Sequence, residues 1–457
     1  MVFLSENFLT ERAKSELVSE YNRLLLDYLE VIIIRYLRHD SYGWIDTKFD
    51  LVSGNDFAED HPVRGLSTVY SWIQGRALES LTSHVIWFKK TRFGKSRKKL
   101  ISDVESVASD LLERIYKVFI NNNYHSFFTM HPDGSCFRYD GKLTHDFTFT
   151  SMSPYNFSDQ FIVKGILAAA TYFNKSRMIE DARQLSYKIY KSLFNGEFVS
   201  DQFAFDANNK GGSSVSNRNS HAPFMIQIGI AILLLELFDD ESSLDMGLNL
   251  IQYILDKHVN TKNGDLPKFS FWEYIDSDGK PWINGGKIIS DPGHALEFVG
   301  LALKFTALAK SNKFLGNVQS EKIANIETIL PQVLIRNFEN GFRENAGGIC
   351  KTYDLLSCRA VNDDMPWWSL PETMRAALQS CKIVRPDSAA HGQMWDIFVR
   401  CHNSLMKYYI LPGFCNWPVQ NRNYRGEISH NIPAVPDADP SYHTGLCLID
   451  CMKLLDA

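Results

Sequence analysis

The residues of this chain best suited to chemistry recur just inside the start of apolar helical segments. The clearest case is Asp291-Pro292-Gly293-His294-Ala295-Leu296-Glu297. Asp291 reads as a helix cap, and Pro292 as a first-turn residue whose missing N–H would have no partner there. His294 and Glu297 are three apart, so they share one helix face. Behind them Leu296, Phe298, Val299, Leu301, Ala302 and Phe305 continue a buried helix. Tyr442-His443 stands in the same position on the last helical segment, and Arg76, Asp159, His221 and Glu372 do so on four others. An imidazole with a reference pKa near 6.5 can give or take a proton near neutral pH. A carboxylate beside it fixes its tautomer and raises its pKa. A guanidinium can hold an oxygen that gains negative charge during reaction. Such groups are able to exchange protons with a small molecule held among them.

The elements that would position these groups are helices. Apolar periodicity places segments near 6–38, 67–90, 100–122, 158–174, 178–195, 222–238, 242–258, 293–310, 314–337, 368–380, 389–410 and 441–454. Pro132-Asp133-Gly134 marks a turn between possible short strands in 124–157, and 259–291 and 338–366 read as loops. The connections alternate between about 3–10 and about 25–35 residues, the pattern of helical hairpins with every long loop at one end. Six hairpins predict an all-α toroid, an (α/α)6 barrel. Its inner ring is the second helix of each pair, shorter and more apolar than the first. No low-complexity linker divides the chain, so residues 1–457 read as one catalytic domain. Within loop 196–221, residues 208–214 (NNKGGSS) read as a mobile stretch. Arg76, Asp159, His221, His294, Glu297, Glu372 and His443 should then converge on one mouth. Trp72, Tyr155, Trp367, Trp368 and Tyr442 should surround them. An aromatic cleft with a few convergent charges is a small-molecule site.

Composition narrows the partners. The 457 residues carry 48 basic and 53 acidic side chains and no long basic run, which argues against nucleic acid or an anionic membrane. The basic stretch 89–99 reads as a solvated helix connection. No signal peptide is legible, and the longest apolar run, Ala222–Phe238, is broken by Gln227 and Glu236. It reads as a core helix, so a cytoplasmic protein is expected. The eight cysteines form no CxxC pair and read as free, mostly buried thiols. With no HExxH, dinucleotide glycine fingerprint or P-loop, no cofactor is expected. His294 and Glu297 supply only two ligands, so no metal is expected either. The aromatic content, 13%, suits stacking on pyranose rings.

The segments QGR at 74–76, PGHALE at 292–297, WWSLPE at 367–372 and YH at 442–443 resemble the motifs of the N-acylglucosamine 2-epimerase family, which includes cellobiose 2-epimerases and aldose–ketose isomerases of mannose. The resemblance runs over essentially the whole chain and implies the (α/α)6 barrel. It implies His294 and His443 as the two acid/base groups and Arg76 as the contact to sugar oxygens. Glu297 and Glu372 would orient the histidines or hold hydroxyls. The implied ligand is a free reducing sugar, in a monomer or homodimer. The implied reaction is C2 epimerisation or aldose–ketose isomerisation through an enediolate. The segment Asp437-Ala438-Asp439-Pro440-Ser441 departs from the Trp-Lys pair common at this point of the family. Two other readings stand beside this one. A hydrolase or lyase on the same barrel would use two carboxylates among Asp159, Asp291, Glu297 and Glu372. A non-catalytic relative would only bind sugar.

Overall fold

The computed structural model describes residues 2–4, 10–39, 42–51, 53–139, 142–199, 217–262, 264–386, 388–410, 417–429 and 439–456. The stretch 208–214, Asp437 and Ala438 lie outside them. The helices in chain order are α1 (Glu11–Arg38), α2 (Ser71–Lys90), the short α3 (Arg92–Ser96), α4 (Lys98–Asn121), α5 (Phe157–Tyr172), α6 (Ser176–Asn195) and α7 (Ala222–Phe238). They continue as α8 (Glu241–His258), α9 (Pro292–Ala309), α10 (Asn317–Gly341), α11 (Ser369–Ile383), α12 (Ala389–Ser404) and α13 (Cys447–Asp456). A π-helical turn, Leu405–Tyr409, extends α12, and a second, Tyr442–Leu446, leads into α13.

Two kinds of helix make two rings. The outer helix α4 has one apolar stripe, Val104, Val107, Ala108, Leu111, Leu112, Ile115 and Phe119, with charge on its other face. In contrast α5 and α7 are buried around nearly their whole circumference, as a helix enclosed by neighbours must be. The inner helices pack in sequence, α2 on α5, α5 on α7, α7 on α9, α9 on α11 and α11 on α13. The π-turn Tyr442–Leu446 packs back onto α2 and closes the ring, completing the (α/α)6 barrel. Helices α1, α4, α6, α8, α10 and α12 wrap it. The α2–α5 contact needs glycine on both sides. A Cβ on Gly75 would lie 2.5 Å from the Phe161 carbonyl oxygen, and one on Gly165 would lie 2.5 Å from that of Gly75.

The long loops are more ordered than their sequence suggests. Val69–Tyr70, Thr129–Met130, Cys136–Tyr139 and Thr144–Phe147 form a four-stranded antiparallel sheet around the turn at 132–134. The expected start of the second helix at 67 is thereby corrected, since 69–70 is a strand. A second sheet runs Arg359–Asn362, Thr352–Asp354, Lys287–Ser290, Ile283–Asn284, inside stretches read above as loops. These strands are two to four residues long, too short to show an alternating pattern. Gly285 and Gly286, at φ +56° and +72°, supply the two left-handed positions that a two-residue hairpin turn requires. Both sheets lie in connections entering the inner ring. The basic stretch 89–99 is paired with acids, Lys89 with Glu105, Arg97 with Glu30 and Lys99 with Asp103. Cys447 and Cys451 are buried free thiols. No helix of the described residues is long and apolar enough to cross a membrane.

Candidate active site

A cavity of about 1600 Å³ runs along the axis of the ring and is lined by residues of all six inner helices and of the connections entering them. At the N-terminal end of α9, the Asp291 side chain accepts from the backbone N–H of Gly293 (3.0 Å) and His294 (3.4 Å), as a cap should. The His294 imidazole sits in the cavity wall with Nδ1 3.0 and 3.2 Å from the two oxygens of Glu273 and 3.3 Å from Asp291 Oδ2. Glu273 also holds His221 Nε2 at 3.0 Å, and Lys351 Nζ pairs with Asp291 Oδ2 at 2.5 Å.

His443 enters from the π-turn. Its Nδ1 is 2.9 Å from Glu372 Oε1 on the first turn of α11, and the other Glu372 oxygen takes the Arg375 guanidinium. Arg375 in turn faces Asp450, which Lys304 holds at 2.8 and 2.9 Å. The indole of Trp368 packs against both catalytic candidates, with ring centroids 5.2 Å from His294 and 5.7 Å from His443. Each imidazole therefore has a carboxylate on Nδ1, which leaves Nε2 as the nitrogen for a molecule in the cavity.

The charges are set by these neighbours. Burial disfavours the charged form of His294, but Asp291 and Glu273 outweigh it and raise its pKa to about 8. Burial works against the ionised Glu273 as well, and His294 and His221 hold it well below the usual carboxylate range. Glu372 and Glu297 are driven apart. Burial opposes ionisation of Glu372, yet Arg375 and His443 pull it down. Glu297 is pushed up, by burial first and then by the Glu372 charge.

Ligand atoms of His221, Glu273 and His294 lie within 4.8 Å of one another, as do those of Glu297, Glu372 and His443. Protein cations stand close to both groups: Lys351 pairs with Asp291 beside the first, and Arg375 pairs with Glu372 of the second.

A model of the family N-acylglucosamine 2-epimerase (GlcNAc 2-epimerase) matches residues 150–447, more than half of the chain. The chain belongs to this family. No curated protein matches it. Among solved structures it is similar to a sugar epimerase from a ruminal bacterium, with TM-score 0.66, 12% identity, and 95% of this chain and 98% of that one covered. It is also similar to the cellobiose 2-epimerase of Bacillus thermoamylovorans B4167 (TM-score 0.65, 12% identity, 97% and 99% covered) and to a D-mannose isomerase (0.61, 14%, 93% and 97%). At such identities these likenesses establish the shared fold. As a member of the N-acylglucosamine 2-epimerase family, the protein is a carbohydrate epimerase or isomerase.

In this epimerase-family barrel Arg76, Trp72, Glu297, Trp367, Trp368, Glu372, Tyr442, His294 and His443 all line the cavity. The Arg76 guanidinium lies over Phe161 (4.3 Å), Tyr442 (5.3 Å) and Trp72 (5.7 Å), and its Nε is buried with no hydrogen-bond partner among the described residues. Three expected substrate-binding residues stand elsewhere. Asp159 is fully buried in the capping box of α5, accepting from His125 and from the backbone of Ser126 and Asn156. A carboxylate at the third helical position turns back to its own cap, away from the cavity. Tyr155 packs on His125, outside the cavity lining. His221 is fully buried behind His294, ring to ring at 5.5 Å, and reaches the site only through Glu273. Sequence reading missed Glu273, Lys351, Lys164, Arg375 and Asp439. Only Arg375 carried a local signal, three residues after Glu372 on the same helix face. Asp439 accepts from the Tyr442 N–H (2.7 Å), the Thr444 hydroxyl (2.5 Å) and the Trp367 indole (3.2 Å), fixing the turn that carries His443.

Proposed function

We propose that this family member moves the proton on C2 of an open-chain reducing sugar, with His294 and His443 as the two transfer groups. The observation that carries the reading is the pair of imidazoles in one cavity, each anchored through Nδ1 to a carboxylate and each packed on Trp368. The sugar aldehyde acidifies the C2 proton. One imidazole takes it, the C2–H electrons form the C1–C2 double bond, and the carbonyl oxygen becomes an enediolate oxygen. Arg76, whose Nε has no hydrogen-bond partner among the described residues, is assigned as the cation that meets that oxygen. Return of a proton to the opposite face of C2 gives the epimer. Return to C1 gives the ketose. His294, at about 8, holds a proton at neutral pH and is assigned as the resting acid. Glu372 and Glu273 orient the two rings, and Glu297, held towards its neutral form, is assigned to a sugar hydroxyl. The same reading treats residues 1–457 as one catalytic unit.

The test is incubation with mannose, glucose, N-acetylmannosamine and cellobiose in heavy water, followed by NMR of the C1 and C2 protons. The expected result is deuterium at C2 with appearance of an epimer or ketose, lost in His294→Asn and in His443→Asn. Absence of exchange on every sugar, or exchange that survives both substitutions, overturns the proposal.

A further inference from the structure

Beside Arg76 the cavity wall holds a charged group that the steps above do not use. Lys164 of α5 is buried, 6% exposed, and its Nζ lies 2.6 Å from the Tyr442 hydroxyl and 3.1 Å from Glu79 Oε2 on α2. Gly229 of α7 makes room for it, since a Cβ there would lie 2.9 Å from Lys164 Nζ. Four inner-ring elements thus meet at one ammonium. An ammonium is a donor only, so in this contact the phenol oxygen accepts. Among the described residues no acceptor is bonded to the phenol's own hydrogen, and Tyr442 and Lys164 both line the cavity next to Arg76. Glu79 keeps the lysine paired. A lysine introduced only to neutralise Glu79 would not need to reach the phenol.

We propose that the Tyr442 phenol is a third proton-transfer group of this site, donating to the sugar's carbonyl oxygen, with Lys164 as its positioning residue. The inference rests on the C2 proton-transfer reading above. As a histidine takes the C2 proton, the C2–H electrons become the C1–C2 double bond. The C1–O π electrons move to O1, and O1 takes the phenol hydrogen. The products are a neutral enediol, a protonated imidazole and a phenolate between Lys164 and Arg76. In epimerisation the phenolate recovers the proton from O1. In aldose–ketose isomerisation O1 keeps it, and the phenolate takes the proton of O2 as C2 becomes the carbonyl. One hydroxyl so placed moves a proton between the two oxygens without solvent. Burial, against the opposing pull of Lys164, pushes the phenol up to about 12, so it enters the cycle protonated.

The experiment compares wild type with Tyr442→Phe, which keeps the ring over Arg76 and against His443. The probe is whichever sugar of the heavy-water panel wild type exchanges fastest. The expected result is a fall in kcat of about 10²-fold with KM little changed, the usual worth of a general acid, while slow deuterium exchange at C2 persists through Arg76 alone. An unchanged kcat, or a loss confined to KM, overturns the inference while leaving the histidine reading intact. Wild type that exchanges no sugar overturns that reading instead. Should the phenylalanine variant not fold by circular dichroism, Glu79→Gln/Lys164→Gln decides. It keeps the phenol and removes both charges, and a kcat equal to wild type refutes the role of the lysine-held phenol.

Discussion

Replacing Glu273 by glutamine isolates the electrostatic argument for His294. The carboxylate bridges His221 and His294, and the glutamine keeps its size while removing its charge. In the native protein His294 sits at about 8 against an ordinary 6.5, although burial works the other way. At 1.36 kcal/mol per pH unit, that gap is about 2 kcal/mol in favour of the imidazolium. The side chain is 24% exposed, so little of this is lost to solvent screening. Asp291 supplies the rest of the pull but is itself paired with Lys351, so the variant should forfeit about 1 kcal/mol and His294 should titrate nearer 7. The sign follows from linkage. A raised folded-state pKa gives stability that is present in full below 6.5 and lost as the pH rises through about 8. Between about pH 6 and about pH 9, wild type should lose about 2 kcal/mol from this group, and Glu273→Gln about half as much. Urea unfolding at the two pH values measures the difference, and NMR titration of the His294 ring measures the midpoint directly. The same His294 midpoint in both proteins would refute the account.

Other substitutions separate structural from chemical roles. Asp159→Asn should lower stability in urea by about 1–2 kcal/mol through the α5 cap and leave kcat/KM near wild type. Glu372→Gln should cut kcat by about 10²-fold or more by releasing His443. It should also cost about 3–5 kcal/mol in thermal or urea unfolding, because Arg375 loses its buried partner. Gly165→Ala should destabilise by about 1–3 kcal/mol, read as a lower Tm, because its methyl would meet the Gly75 carbonyl 2.5 Å away.

The helical hairpins were legible because the inner helices carry apolar runs, longest in α5, α7 and α9, and each long loop breaks them. The start of α9 was legible for a local reason too, since capping by Asp291 and the placement of Pro292 depend on adjacent residues alone. What converged on the mouth followed from that periodicity and the alternation of loops. The sequence could not show that Glu273 would reach His294, 21 positions further on, because the chain between them follows an irregular path through three short strands. Lys164 reaches Tyr442 across 278 residues, a juxtaposition that only the closed ring creates. Asp159 misled for the opposite reason. Its position on the helix matched the pattern of the mouth, but a third-position carboxylate is claimed by its own cap before any ligand can use it.

The closure of the inner ring has a consequence for how the barrel is made. Ser80 and His84 of α2 bond to Ser441, 361 and 357 residues further along the chain, and Ser441 holds a left-handed backbone at φ +57°. Until residue 441 emerges from the ribosome, that edge of α2 has nothing to cover it, and the earlier hairpins can form only an open arc with an apolar rim. Contacts this distant in sequence form late and leave intermediates prone to association. Chaperone demand during synthesis should therefore rise with each hairpin added and fall abruptly when the last one docks.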